Sequence, residues 1–189
     1  MKNCIIIPGK PSKESYYSEV SSLSNRHWFP WVQHRLLLED VLTQTLEMPT
    51  PYAPVYSDWE RLLGIFPIDK SYSLVGHSLG GGFLLRYLSE HKVSIDKLVL
   101  VAPWLDPIVG KTGDFFVFEH DPELLLRIGS LHVLYSTDDP ASGIAESVEI
   151  IKGWYPKLIY HEFIDKGHFR KKEMNTIEFP ELLEIIVGS

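Results

Sequence analysis

The sequence predicts a three-layer α/β/α sandwich with about six mainly parallel strands. Short apolar runs alternate with helix-length amphipathic stretches from one end of the chain to the other. Strands that alternate with helices are joined by right-handed crossovers, which place helices on both faces of a parallel sheet. A chain of 189 residues fits one domain, so we expect residues 1–189 to form a single domain.

The sequence predicts six strands, and the first has the short apolar pattern of a buried strand. Pro8 and Gly9 end the first run, and Pro49 and Pro51 end the second, because proline and glycine punctuate strands. The predicted strands are Cys4–Ile7, Val41–Met48, Ser71–Val75, Lys97–Val101, Leu131–Tyr135 and Lys157–Ile164.

Helical spacing of apolar residues and helix-capping residues predict six helices between and after these strands. They cover Trp31–Asp40, Asp58 to about Phe66, Leu79 to about His91, Asp121 through Ile128, Ala141–Trp154 and Thr176–Val187. Two stretches, Lys10–His27 and Trp104–His120, lack clear periodicity. Both follow the carboxyl end of a predicted strand, where open α/β sheets bind their ligands.

The composition excludes several classes of partner. The chain has 25 acidic and 18 basic residues and a net charge of −7, which argues against binding to nucleic acid or an anionic membrane surface. No run approaches the ~18 apolar residues of a membrane helix. Cys4 is the single cysteine, so we expect no internal disulfide and a reducing, cytoplasmic location.

The most informative segment runs from Gly76 to Gly80 and places Gly-x-Ser-x-Gly between a strand and a helix. This context is typical of a nucleophile elbow, a sharp strained turn that lifts a serine hydroxyl above the sheet. Side chains two positions before and after Ser78 would collide in such a turn, and the two glycines remove them. The sequence therefore predicts Ser78 as a nucleophile.

Two backbone N–H groups are candidates for an oxyanion hole. The elbow frees the N–H of Leu79, at the start of a helix, to donate to an oxyanion. The second donor is expected in the loop after the first strand. Pro11 has no N–H to give, so Lys10 is the candidate there.

A serine nucleophile needs a base, and the base needs an acid that orients it; in this architecture their chain order is Ser, Asp or Glu, then His. Asp138 and Asp139 follow the fifth predicted strand, and His168 follows the last one. Both loops open on the same sheet edge as the Ser78 turn. Pro140 holds the residue before it extended, which favours Asp139 over Asp138 as the acid.

The other histidines lack this place in the chain order. His77 lies inside the elbow and should face away from the serine hydroxyl, and His161 lies within a strand. Solvated structural roles are expected for the remaining ones, which are His27, His34, His91, His120 and His132.

The stretch Trp104–His120 is too short for a cap domain, but it is rich in aromatic side chains. They are Trp104, Phe115, Phe116 and Phe118. Two interpretations stay open: these side chains fill core beneath a long loop, or they form an apolar flap over an acyl pocket.

Five segments, in this order, resemble small serine hydrolases related to retinoblastoma-binding protein 9. They are Ile5–Gly9, His27–Val32, Gly76–Gly80, Ser136–Pro140 and Gly167–Phe169. The resemblance implies a minimal α/β-hydrolase fold without a cap domain and a catalytic triad of Ser78, Asp139 and His168. The chain departs from the family where the segment after Gly9 lacks further glycines. The Leu-x-Cys-x-Glu motif for pocket-protein binding is also absent, so no such partner is expected.

These observations predict a metal-independent serine hydrolase that cleaves a small ester through an acyl-enzyme. No His-x-x-x-His or Cys-x-x-Cys pattern is present, and we expect no cofactor and no metal. Three alternatives stay open: a thioesterase on the same residues, a peptidase or amidase, and a binding protein that retains the fold without catalysis. The oligomeric state also stays open.

Overall fold

A six-stranded parallel sheet forms the middle layer of the molecule. The structure is a computed structural model and describes residues 2–108 and 110–188. The strands are β1 (Lys2–Ile7), β2 (Val41–Thr45), β3 (Tyr72–His77), β4 (Ile95–Val101), β5 (Ile128–Ser136) and β6 (Ile159–Phe163). They lie in the order β2-β1-β3-β4-β5-β6, and every neighbouring pair is parallel. The predicted fold class and all six predicted strands are confirmed.

Helices cover both faces of the sheet. They are α1 (Lys13–Ser18), α2 (Phe29–Leu38), α3 (Tyr56–Leu63), α4 (Leu79–Glu90), α5 (Ile144–Trp154), α6 (Lys171–Met174) and α7 (Pro180–Val187). Helices α2 and α7 pack against each other, and the rings of Trp59 in α3 and Phe83 in α4 are 5.3 Å apart. The chain moves from β1 to β2 in one direction along the sheet and then from β3 to β6 in the other. Because each crossover is right-handed, this reversal places helices on opposite faces of the sheet. Residues 2–108 and 110–188 include no separate cap domain.

The central strands are buried on both faces. Ile6, Val75, Val99 and Val133 each have 0% of their surface exposed, and burial of one such side chain stabilises a fold by about 1.5–3 kcal/mol. This core fixes the strand ends from which the loops of the site extend. Within the described ranges, every helix is too short or too polar to cross a lipid bilayer.

The sheet changes winding direction between β1 and β3. The connection after β1 leads to β2 on one side, and the connection after β3 leads to β4 on the other. Open α/β sheets bind their ligands in the crevice that this arrangement creates. Gly9 lies there directly against Ser78, since a Cβ atom on Gly9 would stand only 2.8 Å from the Ser78 Cβ.

One predicted helix is wrong. Asp121 through Ile128 forms only a single 3₁₀ turn at Leu124–Leu126, and Ile128 already pairs with Ile95 as the first residue of β5. The Asp121 carboxylate accepts from the Glu123 N–H at 3.0 Å, but this contact lies before the 3₁₀ turn, which has no side-chain cap. The helix cannot continue because the backbone from Ile128 onward forms the parallel hydrogen bonds between β4 and β5.

Several helix boundaries also differ from the sequence prediction. Helix α2 begins two residues early, at Phe29, and α7 begins four residues late, at Pro180. Asp58 lies in the first turn of α3 rather than at its cap. Two short helices, α1 and α6, lie in segments where no helix was predicted.

Candidate active site

The turn between β3 and α4 holds Ser78 in a strained backbone conformation. Its φ of 55° and ψ of −122° lie outside the regions that non-glycine residues favour. Glycine is required at both Gly76 and Gly80, because other backbone atoms approach these positions too closely for a side chain. A Cβ atom on Gly80 would clash with the Ile7 carbonyl oxygen, and one on Gly76 would stand 2.5 Å from the Gly81 Cα. The local geometry is that of the predicted elbow.

A chain of hydrogen bonds links the serine to a histidine and an aspartate. His168 Nε2 lies 3.0 Å from Ser78 Oγ, and His168 Nδ1 lies 2.8 Å from Asp139 Oδ2. A carboxylate only accepts hydrogen bonds, so this contact keeps the imidazole proton on Nδ1. Nε2 is then free to accept from the serine hydroxyl. The arrangement can activate Ser78 as a nucleophile.

The histidine and aspartate side chains are shielded from water. Their exposed fractions are 10% for His168 and 4% for Asp139. The second carboxylate oxygen of Asp139 accepts from the Ala141 N–H at 2.8 Å, so both of its oxygens are engaged. A buried hydrogen bond of this kind holds the ring in one orientation.

Asp138 has a different role from its neighbour. Its Oδ1 accepts from the Ser136 hydroxyl at 2.5 Å and from the Gly167 N–H at 3.0 Å. These two hydrogen bonds hold the pKa of Asp138 below its usual range. Asp138 thus ties the loop after β5 to the loop that carries His168, while Asp139 contacts the ring itself.

His77 holds the loop that carries His168. It is 4% exposed, and its Nε2 donates to the His168 carbonyl oxygen at 2.8 Å. Burial, together with the nearby His168, holds the pKa of His77 well below its usual range. The ring is therefore neutral, with its proton on Nε2. Sequence reasoning placed His77 away from the serine hydroxyl but missed this contact.

We expect His77→Leu to weaken both the fold and catalysis. The change leaves the His168 carbonyl without its buried donor, which should lower the free energy of unfolding by about 1–3 kcal/mol. Looser placement of the ring should lower kcat by roughly tenfold with little change in KM. His77→Gln, which keeps a donor, should recover part of both losses. Denaturant unfolding and ester hydrolysis measure these effects, and equal behaviour of the two variants would contradict the positioning role.

His27 lines the site as well, which corrects the solvated role expected from the sequence. It has a φ of 56°, a left-handed conformation that is uncommon for a side chain of this size. Its Nδ1 faces the Lys171 N–H at 3.4 Å. Burial above all, and then the charge of Arg170, lower the pKa of His27 to about 4.

An open cleft of about 690 Å³ gives access to the serine. Its lining includes Gly9, Lys10, Ser78, Trp104 and His168. Leu79, the first residue of α4, directly follows Ser78 and is fully buried. The predicted nucleophile, base and loop after β1 therefore meet in one cavity.

The sequence left two roles open for the four aromatic residues of the loop after β4, a filled core or an apolar flap over the cleft, and the structure shows both. Trp104 lines the cleft. Phe115 is fully buried and packs against Trp59, while Phe116 packs against Phe115 and Phe118 against Trp154. The loop contributes one aromatic wall to the cleft, and the rest of its aromatic surface fills core.

Solved structures of other proteins share this fold. The ydeN gene product of Bacillus subtilis superposes with a TM-score of 0.82 over 98% of this chain and 97% of its own, with 25% identity. Est1E of Butyrivibrio proteoclasticus, in a structure with ferulic acid bound, superposes with a TM-score of 0.66 over 99% of this chain and 86% of its own, with 15% identity. The latter shows the fold alone.

Sequence similarity also reaches most of the chain. YdeN of Bacillus subtilis (strain 168), which is named as a hydrolase, is 41% identical over 158 residues, or 79% of this chain and 82% of its own. The family model described as Serine hydrolase matches residues 20–183. The expected resemblance to small α/β-hydrolases of this kind is confirmed, and the chain belongs to the serine hydrolase family.

Proposed function

We propose that the protein is a metal-independent carboxylesterase that cleaves a small ester with Ser78, His168 and Asp139. The observation that carries the proposal is the hydrogen-bond chain at the elbow, with contacts of 3.0 Å and 2.8 Å. Membership of the serine hydrolase family supports the reaction class.

The proposed reaction has two halves. Ser78 Oγ attacks the ester carbonyl while His168 Nε2 takes the hydroxyl proton, and Asp139 stabilises the imidazolium. His168 then gives this proton to the leaving alcohol oxygen, which departs as the alcohol and leaves an acyl group on Ser78. In the second half, His168 takes a proton from water, the hydroxide displaces the acyl group as a carboxylic acid, and Ser78 recovers its proton.

The oxyanion formed in each half requires two donors. The Leu79 N–H lies at the start of α4, where the first helical N–H groups have no partner within the helix. The Lys10 N–H belongs to the chain that passes Ser78 after Gly9. We propose these two groups as the oxyanion hole.

The backbone role of Lys10 makes a specific prediction. Lys10→Pro removes the N–H and should lower kcat by about 10²–10³, the cost of losing one such donor. Lys10→Ala keeps the N–H and should lose far less on a neutral ester. A crystal structure of a phosphonate adduct on Ser78 provides the direct check. A Lys10 N–H that points away from the adduct oxygen would refute the assignment.

Covalent labelling separates the esterase from a binding protein that keeps the fold. A fluorophosphonate probe should label the wild-type chain, because it reacts with activated serines, and should fail to label Ser78→Ala. A variant of another serine in the cleft, Ser142→Ala, is the matched control and should label like the wild type. Absence of labelling in the wild type would favour the binding protein instead.

A further inference from the structure

The cleft carries the opposite charge to the rest of the chain. The whole chain has a net charge of −7. Among the described residues that line the cleft, five are cationic and two, Glu19 and Glu173, are acidic. The cationic ones are Lys10, Arg26, Lys111, Arg170 and Lys172. A cleft of one sign in an oppositely charged protein concentrates ligands that bear the complementary charge.

Most of these cations lack an acidic partner. Arg170 pairs with Glu173 in a forked ion pair. Within residues 2–108 and 110–188, no carboxylate oxygen lies within 4.0 Å of the charged nitrogens of Lys10, Arg26, Lys111 or Lys172. These four side chains therefore keep their positive charge in the cleft that contains Ser78, although the chain has 25 acidic residues.

Ser78 lies between two sides of the cleft, and each side mixes charged and apolar residues: Lys111 follows β4, and Leu23 and Phe29 follow β1. Arg26 and His27 follow β1, whereas Trp104 and Ile144 follow β4 and β5; β3, which carries Ser78, lies between these strands. The loop after β6 crosses back to the β1 side, where the Lys171 N–H meets His27 Nδ1. We call Arg26, His27, Arg170 and Lys172 the basic half of the cleft.

Two members of the basic half are held in place and can still interact with an anion. Arg26 donates to the Ser21 carbonyl oxygen from Nε at 3.1 Å and from Nη2 at 3.0 Å. Neutral carbonyls orient the guanidinium but leave its charge intact, so less conformational entropy is lost when an anion binds. His27 accepts at Nδ1, which leaves its proton on Nε2 as a donor.

The position of the catalytic base suggests which part of an ester meets the basic half. The leaving oxygen must come within hydrogen-bond reach of His168 Nε2, because this atom returns the proton. Arg170 and Lys172 lie two and four residues beyond His168 on the same segment. A leaving group near His168 Nε2 can therefore reach the basic half, which leaves the side of Trp104 for the acyl group.

We propose that the preferred substrate is an ester whose leaving alcohol carries an anionic group, a carboxylate or a phosphate, bound by Arg26 and Lys172 beside His27 and Arg170. This inference rests on the proposed esterase function. It names the substrate class of the same site.

Matched esters test the proposal. The leaving-group series contains the acetates of 4-hydroxybenzoate, of 4-hydroxyphenyl phosphate and of methyl 4-hydroxybenzoate, which is neutral. We expect kcat/KM for at least one anionic ester to exceed that of the neutral one by about tenfold, as charge-assisted hydrogen bonds are stronger than neutral ones. The anionic ester with the higher kcat/KM shows whether the cleft prefers a carboxylate or a phosphate. The advantage should shrink as ionic strength rises from about 0.01 M to about 1 M.

Variants locate the anion. Arg26→Gln and Lys172→Gln should each bring the ratio of anionic to neutral kcat/KM toward one. The matched control is Lys70→Gln, which makes the same change in net charge before β3, at the opposite end of the sheet from Ser78. It should keep the full ratio. Thermal unfolding of each variant verifies that the fold is retained.

The outcomes separate this inference from the proposed function. Hydrolysis of the neutral ester that depends on Ser78 but shows no anionic preference would overturn the inference and leave the esterase intact. A preference that survives both glutamine variants would also overturn it. A preference for a succinate monoester over a butyrate ester of the same phenol would move the anion to the acyl side and contradict the leaving-group assignment. If the wild-type protein neither hydrolyses any of these esters nor reacts with the fluorophosphonate, the proposed function itself is overturned.

Discussion

Ser78→Ala and His168→Ala should each lower kcat for an ester by about 10⁶, and the double variant should cost no more than either alone. The two side chains share one hydrogen bond of 3.0 Å, and we expect each to contribute to the reaction only when the other is present. Without the histidine the hydroxyl keeps its proton, and without the serine the base has nothing to activate. A residual rate above that in water should remain, because the oxyanion donors and the cleft are untouched.

Steady-state hydrolysis of a chromogenic acetate measures this effect, with denaturant unfolding to verify the fold of each variant. His34→Ala, on the exposed face of α2, is the control for loss of a histidine. Additive losses in the double variant would show that the two residues act independently. Undiminished hydrolysis by Ser78→Ala would remove Ser78 from the reaction altogether.

Asp139→Asn should lower kcat by about 10⁴ while the fold stays intact, since an amide donor beside His168 Nδ1 favours the wrong ring tautomer. In the structure, Nδ1 donates to a carboxylate oxygen at 2.8 Å. An asparagine can present its N–H there instead, which forces the proton onto Nε2. The ring can then no longer accept the proton of Ser78.

Asp138→Asn is the matched control, one residue away and with the same change in charge. The asparagine oxygen can still accept from the Ser136 hydroxyl and the Gly167 N–H, so we expect a mild loss of kcat. Comparison of the two variants on one ester decides between them. A severe loss for Asp138→Asn and a mild one for Asp139→Asn would make Asp138 the acid.

The strand pattern could be predicted because buried strands leave a direct mark on the sequence. The four central strands are short apolar runs, the edge strands β2 and β6 mix apolar and polar residues, and the alternation of strands with helices implies the parallel sheet. Helices α1 and α6 could not be found in this way. Neither buries a residue fully, so neither produces the apolar periodicity on which helix prediction depends. The helix predicted from Asp121 fails for another reason: local capping signals were present, and a tertiary strand pairing overrode them.

The candidate site was only partly visible in the sequence. Ser78 stands in a motif whose glycines have a steric cause, and Asp139 and His168 stand in the expected order after strands. Arg26 and Arg170 carry no such signal. They line one cleft only because the loop after β6 crosses the sheet to the loop after β1, and this depends on the complete fold.

The measurement that tests the central claim most directly is the detection of an acyl-enzyme on Ser78. Wild-type protein mixed with an activated acetate should release a burst of alcohol close to the enzyme concentration, provided that deacylation limits turnover. Mass spectrometry of the quenched reaction should find one acetyl group on the peptide that contains Ser78, and Ser78→Ala should show neither burst nor adduct. An adduct on a different residue, or the same Ser78-independent turnover in both proteins, would contradict the account.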